Sequence, residues 1–163
     1  MKKILLLSDT HGCADDHILK YARQADEIWH AGDIGSVRVA DTLSSCAVFR
    51  AVYGNIDGWD VRSANPERLR ITCEGTDVLI KHIGGYPGRY DRSVYEEIFA
   101  APPKLFISGH SHILKVMYDR RHGALHINPG AAGKYGFHKV RTAIRLEVDG
   151  SAIGSLEVGE WKK

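Results

Sequence analysis

The chain has few cysteines and no long hydrophobic run, and both features limit the classes of protein to which it can belong. Its three cysteines, Cys13, Cys46 and Cys73, are odd in number and form no CxxC pair, which fits a reducing compartment better than a disulfide scaffold. The first apolar run, residues 4–7, has only four residues, whereas a signal peptide needs roughly 7 to 15. No stretch approaches the roughly 18 apolar residues of a membrane span. We therefore expect a cytoplasmic protein with no membrane partner.

The chain also lacks a large excess of one charge. Its formal net charge is +2, and its arginines are scattered rather than grouped in one block. A charge this mild does not indicate nucleic acid as a partner. The length of 163 residues, with 44% of them hydrophobic, predicts one domain over residues 1–163 that can bury its own core.

Two patterns of secondary structure follow one another along the chain. Residues 3–8, 27–31 and 47–53 are typical of strands, with helices expected over 15–25, capped by Asp15, and after a Ser36 cap. This alternation predicts a parallel sheet flanked by helices. Beyond residue 68 we expect a hairpin at Glu74-Gly75, a helix over 91–100, and strands over 105–108, 113–118, 124–127, 139–148 and 152–158. These predict a second, partly antiparallel sheet packed on the first, with helices outside.

Side chains that bind metals stand where several strand-like runs end. They are Asp9, His11, Asp33, Asn55, His82, His110 and His112. Asp9 and His11, and likewise His110 and His112, are two residues apart, so in extended chain each pair projects from one face. Taken singly, each residue has a simpler explanation as a turn former, a helix cap or a buried structural histidine. Seven in this order instead predict a two-metal hydrolytic centre.

The kinds of ligand indicate the kind of ion. Carboxylate and amide oxygens with imidazoles, and no thiolate, favour divalent transition metals over calcium or magnesium. We expect two such ions, with manganese as the first choice and nickel, cobalt, iron or zinc as alternatives. In two-metal hydrolases the ions hold a bridging hydroxide that attacks phosphorus. Two divalent ions, Asp9, Asp33 and a hydroxide leave a formal charge of about +1, which would attract a small phosphate ester.

In order and spacing, these residues resemble the signature of calcineurin-like metallophosphoesterases. The matching blocks are Asp9-x-His11, Gly32-Asp33, Gly54-Asn55-x-Asp57, His82 and Gly109-His110-x-His112. The run Ser8-Asp9-Thr10-His11-Gly12, the small size and Asn128-Pro129-Gly130 are most similar to the compact YfcE-type phosphodiesterase branch. The resemblance implies an α/β fold: a four-layer α/β/β/α sandwich of two mixed sheets flanked by helices, with the metals at the carboxyl ends of the strands.

The resemblance also implies roles for individual residues. Asp9, His11 and His112 would hold one ion, Asn55, His82 and His110 the other, and Asp33 would bridge them. Asn55 and His110 would also take part in catalysis, with His110 or His112 close enough to touch phosphate oxygens. Asp57 would support the site or act as a simple turn residue. Of the remaining histidines, His17, His122, His126 and His138 are expected to be surface or structural, while His30 is a candidate partner behind the ligands.

The chain departs from the family pattern at two places. Many relatives have a histidine after the Gly-Asn pair that is thought to protonate the leaving oxygen, but this chain has Ile56. This implies either diesters with a fairly acidic leaving group or recruitment of another acid. The segment after His82 also differs, and we hypothesise that its Arg89 offers a planar donor fork to phosphate.

Two functions of different class remain open at the level of sequence. The first is a metal-dependent phosphodiesterase acting on a small phosphate ester, with a phosphomonoesterase as a variant. The second is a non-catalytic metal-binding or protein-interaction scaffold, because the retromer small subunit has a similar fold with an incomplete ligand set. Since all seven ligands are present here, we favour the enzyme. The habit of relatives also leads us to expect self-association into a homo-oligomer.

Overall fold

The computed structural model describes residues 1–163. Five strands form the first sheet: β1 (Lys2–Leu7), β2 (Glu27–His30), β3 (Val48–Ala51), β11 (Val140–Asp149) and β12 (Ala152–Lys162). They lie in the order β12-β11-β1-β2-β3. The strands β1, β2 and β3 are parallel, whereas β11 pairs antiparallel with both β1 and β12. Leu5 and Leu6 point to opposite faces and are both fully buried, as a central strand covered on both sides requires.

The second sheet also has five strands. They are β4 (Arg68–Cys73), β5 (Thr76–Lys81), β8 (Leu105–Ile107), β9 (Leu114–Asp119) and β10 (Ala124–Pro129), in the order β4-β5-β8-β10-β9. Its three central strands are parallel, and its two edge strands are antiparallel to their neighbours. A small separate hairpin, β6 (Gly85–Tyr86) and β7 (Arg89–Tyr90), follows β5.

Four helices complete the layers. They are α1 (Asp16–Ala22), α2 (Val37–Ser44), α3 (Trp59–Ala64) and α4 (Tyr95–Ala100), the last preceded by a 3-10 turn (Arg92–Val94). One apolar core lies between the two sheets and includes Trp29 and Ile107. A second packs the first sheet against helices through residues such as Leu7 and Leu43, and a third packs Phe106 against α4. Three cores separate four layers, so the predicted α/β/β/α sandwich of two mixed sheets is confirmed.

Local details differ from prediction where elements are short. The side chains of Asp15 and Ser36 cap α1 and α2 as expected, by accepting from the backbone N–H of Ile18 and of Val39. However, α1 ends at Ala22 rather than residue 25, because a tight turn carries Ala25 into the core without a further helical turn. The helix α3 and the β6–β7 hairpin were not predicted. No helix is both long and apolar enough to cross a membrane.

Candidate metal centre

The predicted ligands follow five parallel strands, three in the first sheet and two in the second. Asp9, Asp33 and Asn55 come after β1, β2 and β3, His82 comes after β5, and His110 comes after β8. His11 and His112 follow in the same loops as Asp9 and His110. Because the carboxyl ends of parallel strands meet at one edge of a sheet, each sheet delivers its ligands to one edge. The packing of the two sheets then joins the two sets of loops.

The backbone at these positions is unusual. Only seven non-glycine residues of the chain have a positive φ, and five of them are predicted ligands: Asp9, His11, Asp33, His110 and His112, with φ between 46° and 71°. A left-handed conformation costs a residue with a Cβ roughly 1 to 2 kcal/mol. Such residues concentrate at functional sites, where the surrounding structure holds them in place. Five strained residues in one cluster therefore mark this edge of the sheets as a functional site.

Two glycines allow the ligand loops to pack very closely. A Cβ on Gly54 would lie 2.0 Å from Asp33 Oδ1, and one on Gly109 would lie 2.0 Å from Ser8 Oγ and 3.0 Å from Asp9 Oδ2. No side chain fits at either position without displacing a predicted ligand or its partner. These two glycines of the motif blocks are thus required here for close approach of the backbone.

One group of ligand atoms is formed by Asp9, His11 and His112, whose coordinating atoms all lie within 4.8 Å of one another. Asp9 Oδ1 is 3.2 Å from His112 Nε2 and 3.8 Å from His11 Nε2. This is the trio predicted to hold one ion. The other carboxylate oxygen of Asp9, Oδ2, accepts from Ser8 Oγ at 2.6 Å and from the His110 N–H at 3.1 Å. These two hydrogen bonds fix the orientation of the Asp9 carboxylate.

The second group consists of Asp33, His82 and His110, again within 4.8 Å of one another. Asn55 joins it, because its Oδ1 lies 3.0 Å from both His82 Nε2 and His110 Nδ1. Asp33 Oδ2 is 3.2 Å from His82 Nε2 and 3.5 Å from His11 Nε2 of the first group. The structure therefore brings all seven predicted residues together, with Asp33 between the two groups.

Several of these atoms lack the partner that their burial demands. Asp9 Oδ1 and His11 Nε2 are buried and have no hydrogen bond, and an unsatisfied buried polar atom costs about 1 to 3 kcal/mol. His82 Nδ1 lies 2.7 Å from Ala31 O and must donate to it, so in a neutral ring Nε2 points a lone pair at oxygens of Asp33 and Asn55. A proton or a cation between the ring nitrogen and these oxygens resolves that arrangement. The donor set fits divalent metal ions.

The pKa shifts have the same origin. Burial alone would raise the pKa of Asp9, but the imidazoles of His11 and His112 outweigh it and hold this pKa well below its usual range. Burial would lower the pKa of His82, yet its hydrogen bond to Asp33 and the charge of Asp9 raise it. Anionic carboxylates thus face imidazoles that favour a positive charge, which is the electrostatic environment that a cation site provides.

His138 has a role that the sequence did not predict. Its Nδ1 lies 3.2 Å from His112 Nδ1, and its Nε2 donates to Gly133 O at 2.8 Å. Because the carbonyl can only accept, the neutral His138 ring accepts at Nδ1 and His112 donates to it. The Nε2 lone pair of His112 is then left free toward Asp9. Histidine ligands commonly donate their second N–H in this way, but 26 residues separate this pair, so no local pattern reveals it.

His30 and Asp57 support the loops rather than the ligand side chains. His30 is fully buried, its Nδ1 accepts from the Gly32 N–H at 3.1 Å, and its Nε2 donates to Thr10 Oγ1 at 2.9 Å. Burial lowers the pKa of His30 to about 4, so the ring is neutral. The Asp57 carboxylate accepts from the N–H groups of Gly54 and of residues 34 and 35. It therefore ties the loop after β2 to the loop after β3.

The open side of the centre is lined by exposed residues. Arg89 lies on β7 and lines a cavity of about 310 Å³ together with His110 and Ser111. The backbone N–H of Ile56 donates to Asp33 Oδ1 at 3.0 Å, and the residue is exposed. The ring of Tyr135, which the sequence did not single out, lies 5.1 Å from that of His11 and is 71% exposed.

Comparison with known families is in line with this geometry. The sequence model of the calcineurin-like phosphoesterase superfamily domain matches residues 1–151. The chain belongs to this superfamily. Its members use divalent metals, and this member has two candidate metal clusters. A sequence search among curated proteins finds no match.

Solved structures share the fold of this superfamily member over its full length. Entamoeba histolytica Vps29 complexed with Zn²⁺ has a TM-score of 0.74 at 18% identity, with 98% of each chain covered. A Thermotoga maritima protein solved by NMR has a TM-score of 0.73 at 25% identity, covering 99% of this chain and 100% of that one. An archaeal phosphodiesterase has a TM-score of 0.72 at 24% identity, covering 96% and 99%.

Proposed function

We propose that the protein is a metal-dependent phosphodiesterase that cleaves small phosphate diesters at a centre of two divalent transition-metal ions. Manganese is the first choice, and nickel, cobalt, iron and zinc are alternatives. The observation that carries the proposal is the convergence of seven ligand side chains around Asp9 Oδ1 and His11 Nε2, two buried atoms without partners. A purely structural cluster has no reason to leave both atoms unsatisfied.

The proposed role of each residue follows from its position in the centre. Asp9, His11 and His112 would hold one ion, Asn55, His82 and His110 the other, and Asp33 both. Bound divalent ions would act as Lewis acids on the phosphate and supply hydroxide at neutral pH. Ala31 O and His138 fix the rings of His82 and His112. His110 is exposed and stands beside the cavity through which an ester would reach the centre.

The preference for diesters rests on the leaving group. Ile56 has no proton to give, so a leaving oxygen that is stable without protonation is favoured. A diester carries one negative charge, which suits a centre whose formal charge would be about +1. Arg89, which lines the cavity beside His110, would donate to a phosphate oxygen. An archaeal protein of the same fold is described as a phosphodiesterase, which agrees with the proposal without establishing it.

A protein-interaction scaffold is the second candidate, and the similarity to Vps29 over the whole chain favours it. Metal binding alone does not separate the two, since one Vps29 structure is described as a zinc complex. Hydrolysis has to be measured. A scaffold should keep its partner when Asp33 is replaced by asparagine, whereas an enzyme should lose its reaction.

The test begins with protein stripped by a chelator and reloaded with manganese, nickel, cobalt or zinc. Each form is assayed with a bis-aryl phosphate and with the matching aryl monoester. We expect metal-dependent turnover that is faster on the diester, and a fall in kcat of at least about 100-fold in Asp33→Asn and His110→Ala. Asp41→Asn and His17→Ala, both exposed and on the outer helices, serve as matched controls. Metal-loaded protein that hydrolyses neither ester would favour the scaffold, and faster monoester cleavage would contradict the diester preference.

A further inference from the structure

A second cavity lies beside the one that holds His110. It has a volume of about 500 Å³, and Arg89 and Tyr90 line both cavities. The two cavities therefore adjoin at the β6–β7 hairpin, which carries both residues. The size of the second cavity falls in the range of about 300 to 1,000 Å³ that is typical of small-molecule sites.

The floor of the second cavity is aromatic. The Phe99 ring lies 5.0 Å from the rings of both Tyr95 and His122, and all three residues line the cavity. Phe99 is 53% exposed and takes no part in the core beneath α4, which is formed by other side chains. An aromatic cluster that faces solvent offers its ring faces for stacking against a planar ligand.

The wall of the cavity is positively charged. Arg89, Arg120 and Arg121 line it, and none of their guanidinium groups takes part in a hydrogen bond or ion pair, whereas Arg68 and Arg70 on nearby β4 are paired with Glu97 and Asp77. Free guanidinium groups of this kind bind phosphate oxygens readily.

The one acidic residue in the lining, Asp119, offsets only one of the three arginine charges. Asp119 accepts from Tyr90 Oη and His122 Nδ1 at 2.7 Å each, and from the backbone N–H groups of Arg121 and His122. Its oxygens are thus already satisfied within the protein. The cavity presents aromatic faces and unpaired cations to any ligand.

We propose that this cavity binds the nucleoside part of the substrate, so that the diester is a nucleotide diester; this rests on the proposed phosphodiesterase function. The base stacks on Phe99, the scissile phosphate passes Arg89, and Arg120 and Arg121 contact any further phosphate. Aromatic stacking combined with arginine is how proteins bind nucleotides without reading their sequence. Hydrolysis adds water across the P–O bond and yields a phosphate monoester and an alcohol, with the nucleoside on the cavity side.

The first test measures binding and needs no turnover. Adenosine 5′-monophosphate and ribose 5-phosphate are titrated by calorimetry into metal-free and manganese-loaded protein. Stacking of one base contributes about 1 to 3 kcal/mol, so we expect the nucleotide to bind at least about 10-fold more tightly. The difference should disappear in Phe99→Ala and persist in Phe99→Tyr, which keeps the aromatic face. Equal affinity for the two ligands in the wild type would overturn the inference.

The second test separates this inference from the function on which it rests. Two diesters with the same leaving group are compared: the nitrophenyl ester of thymidine 5′-monophosphate and methyl nitrophenyl phosphate. We expect the ratio of their kcat/KM values to favour the nucleoside by about 10-fold or more, and to fall toward one in Phe99→Ala. Arg38→Ala, which removes an unpaired charge on α2, should leave the ratio unchanged.

The outcomes are distinct. Hydrolysis of both diesters at equal kcat/KM overturns the nucleoside site and leaves the phosphodiesterase standing. Hydrolysis of neither overturns the phosphodiesterase, and the binding difference then decides the nucleoside site alone. The source of the nucleoside is identified by titrating a dinucleotide and a ten-nucleotide single strand at several salt concentrations. Tighter binding of the strand with a steep salt dependence would assign the nucleoside to the end of a nucleic acid. Equal binding would assign it to a small dinucleotide.

Discussion

At the scale of single residues, the contact between Gly54 and Asp33 can be tested most directly. A Cβ on Gly54 would lie 2.0 Å from Asp33 Oδ1, so Gly54→Ala must displace the carboxylate that lies between the two ligand groups. We expect manganese affinity, measured by competition with a chelator, to fall at least about 10-fold. Gly154→Ala, where a Cβ would meet nothing within 4 Å, is the control. Unchanged affinity in Gly54→Ala would mean that Asp33 does not hold metal.

His138 permits a test of the hydrogen bond behind a ligand. Without its acceptor, His112 loses the partner that fixes its ring and its tautomer. His138→Ala should therefore weaken metal binding about 10- to 100-fold, read from the metal dissociation constant, while the melting temperature of the chelated protein changes little. His17→Ala should leave the metal affinity as it is. A loss of affinity only as large as that of the control would assign His138 to packing alone.

Residue types that follow strand ends were enough to predict the seven side chains that the structure brings together, and their binding of metal stays a prediction. The extended backbone assumed for the pairs Asp9/His11 and His110/His112 was wrong, because all four residues have a positive φ. His138 and Tyr135 were missed, since their contacts with His112 and His11 come from a distant loop that carries no motif. Asp57 was expected to support the site or to act as a turn residue, and its carboxylate accepts from backbone N–H groups of both loops.

At the scale of elements, Arg141 joins β11 to the start of α1. It is almost fully buried, donates Nε to Ala132 O at 2.7 Å, and makes a two-pronged ion pair with the capping residue Asp15 at 2.8 and 3.1 Å. Lysine cannot reproduce this planar fork. Arg141→Lys should lower the free energy of unfolding by about 2 to 4 kcal/mol, measured by urea denaturation.

The matched control for that change is Arg145→Lys on the same strand. Arg145 pairs with Glu157 at an exposed position, where ion pairs contribute about 0 to 1 kcal/mol. If both variants lost the same stability, burial of the Arg141 pair would not be what matters.

The boundaries of helices and strands were predictable where a capping side chain or a long hydrophobic periodicity marks them. Asp15 and Ser36 mark the starts of α1 and α2 through their side-chain oxygens. The six residues of α3 and the two-residue strands β6 and β7 are too short to show a hydrophobic period. The position of these elements is set by the loops around them, and no hydrophobic pattern of their own predicts them.

At the scale of the whole molecule, stability should fall on acidification because of buried neutral histidines. Burial lowers the pKa of His126 to about 4, against about 6.5 in an unfolded chain. Between these values the unfolded state binds the proton and the native state does not, so the contribution of His126 to stability falls as the pH drops from 6.5 toward 4 and changes no further below. His126→Gln should make the free energy of unfolding less dependent on pH across that window. An unchanged pH dependence would show that His126 is not the group responsible.

The layered architecture was predictable from the alternation of strands and helices, but the strand order was not. Residues near both ends of the chain pair in the first sheet, with Lys2 opposite Val148, and no local signal announces a partner so far along the chain. The assignment of residues 1–163 to one domain stays a prediction.

The left-handed backbone at Asp9, His11, Asp33, His110 and His112 has an evolutionary consequence. Each of these positions holds a conformation that glycine would adopt with less strain, so a descendant released from the proposed function could gain stability by substituting them one at a time. Loss of the metal centre in this lineage would then increase stability and be hard to reverse. A homologue that keeps all five of these residues would therefore show continued selection for activity.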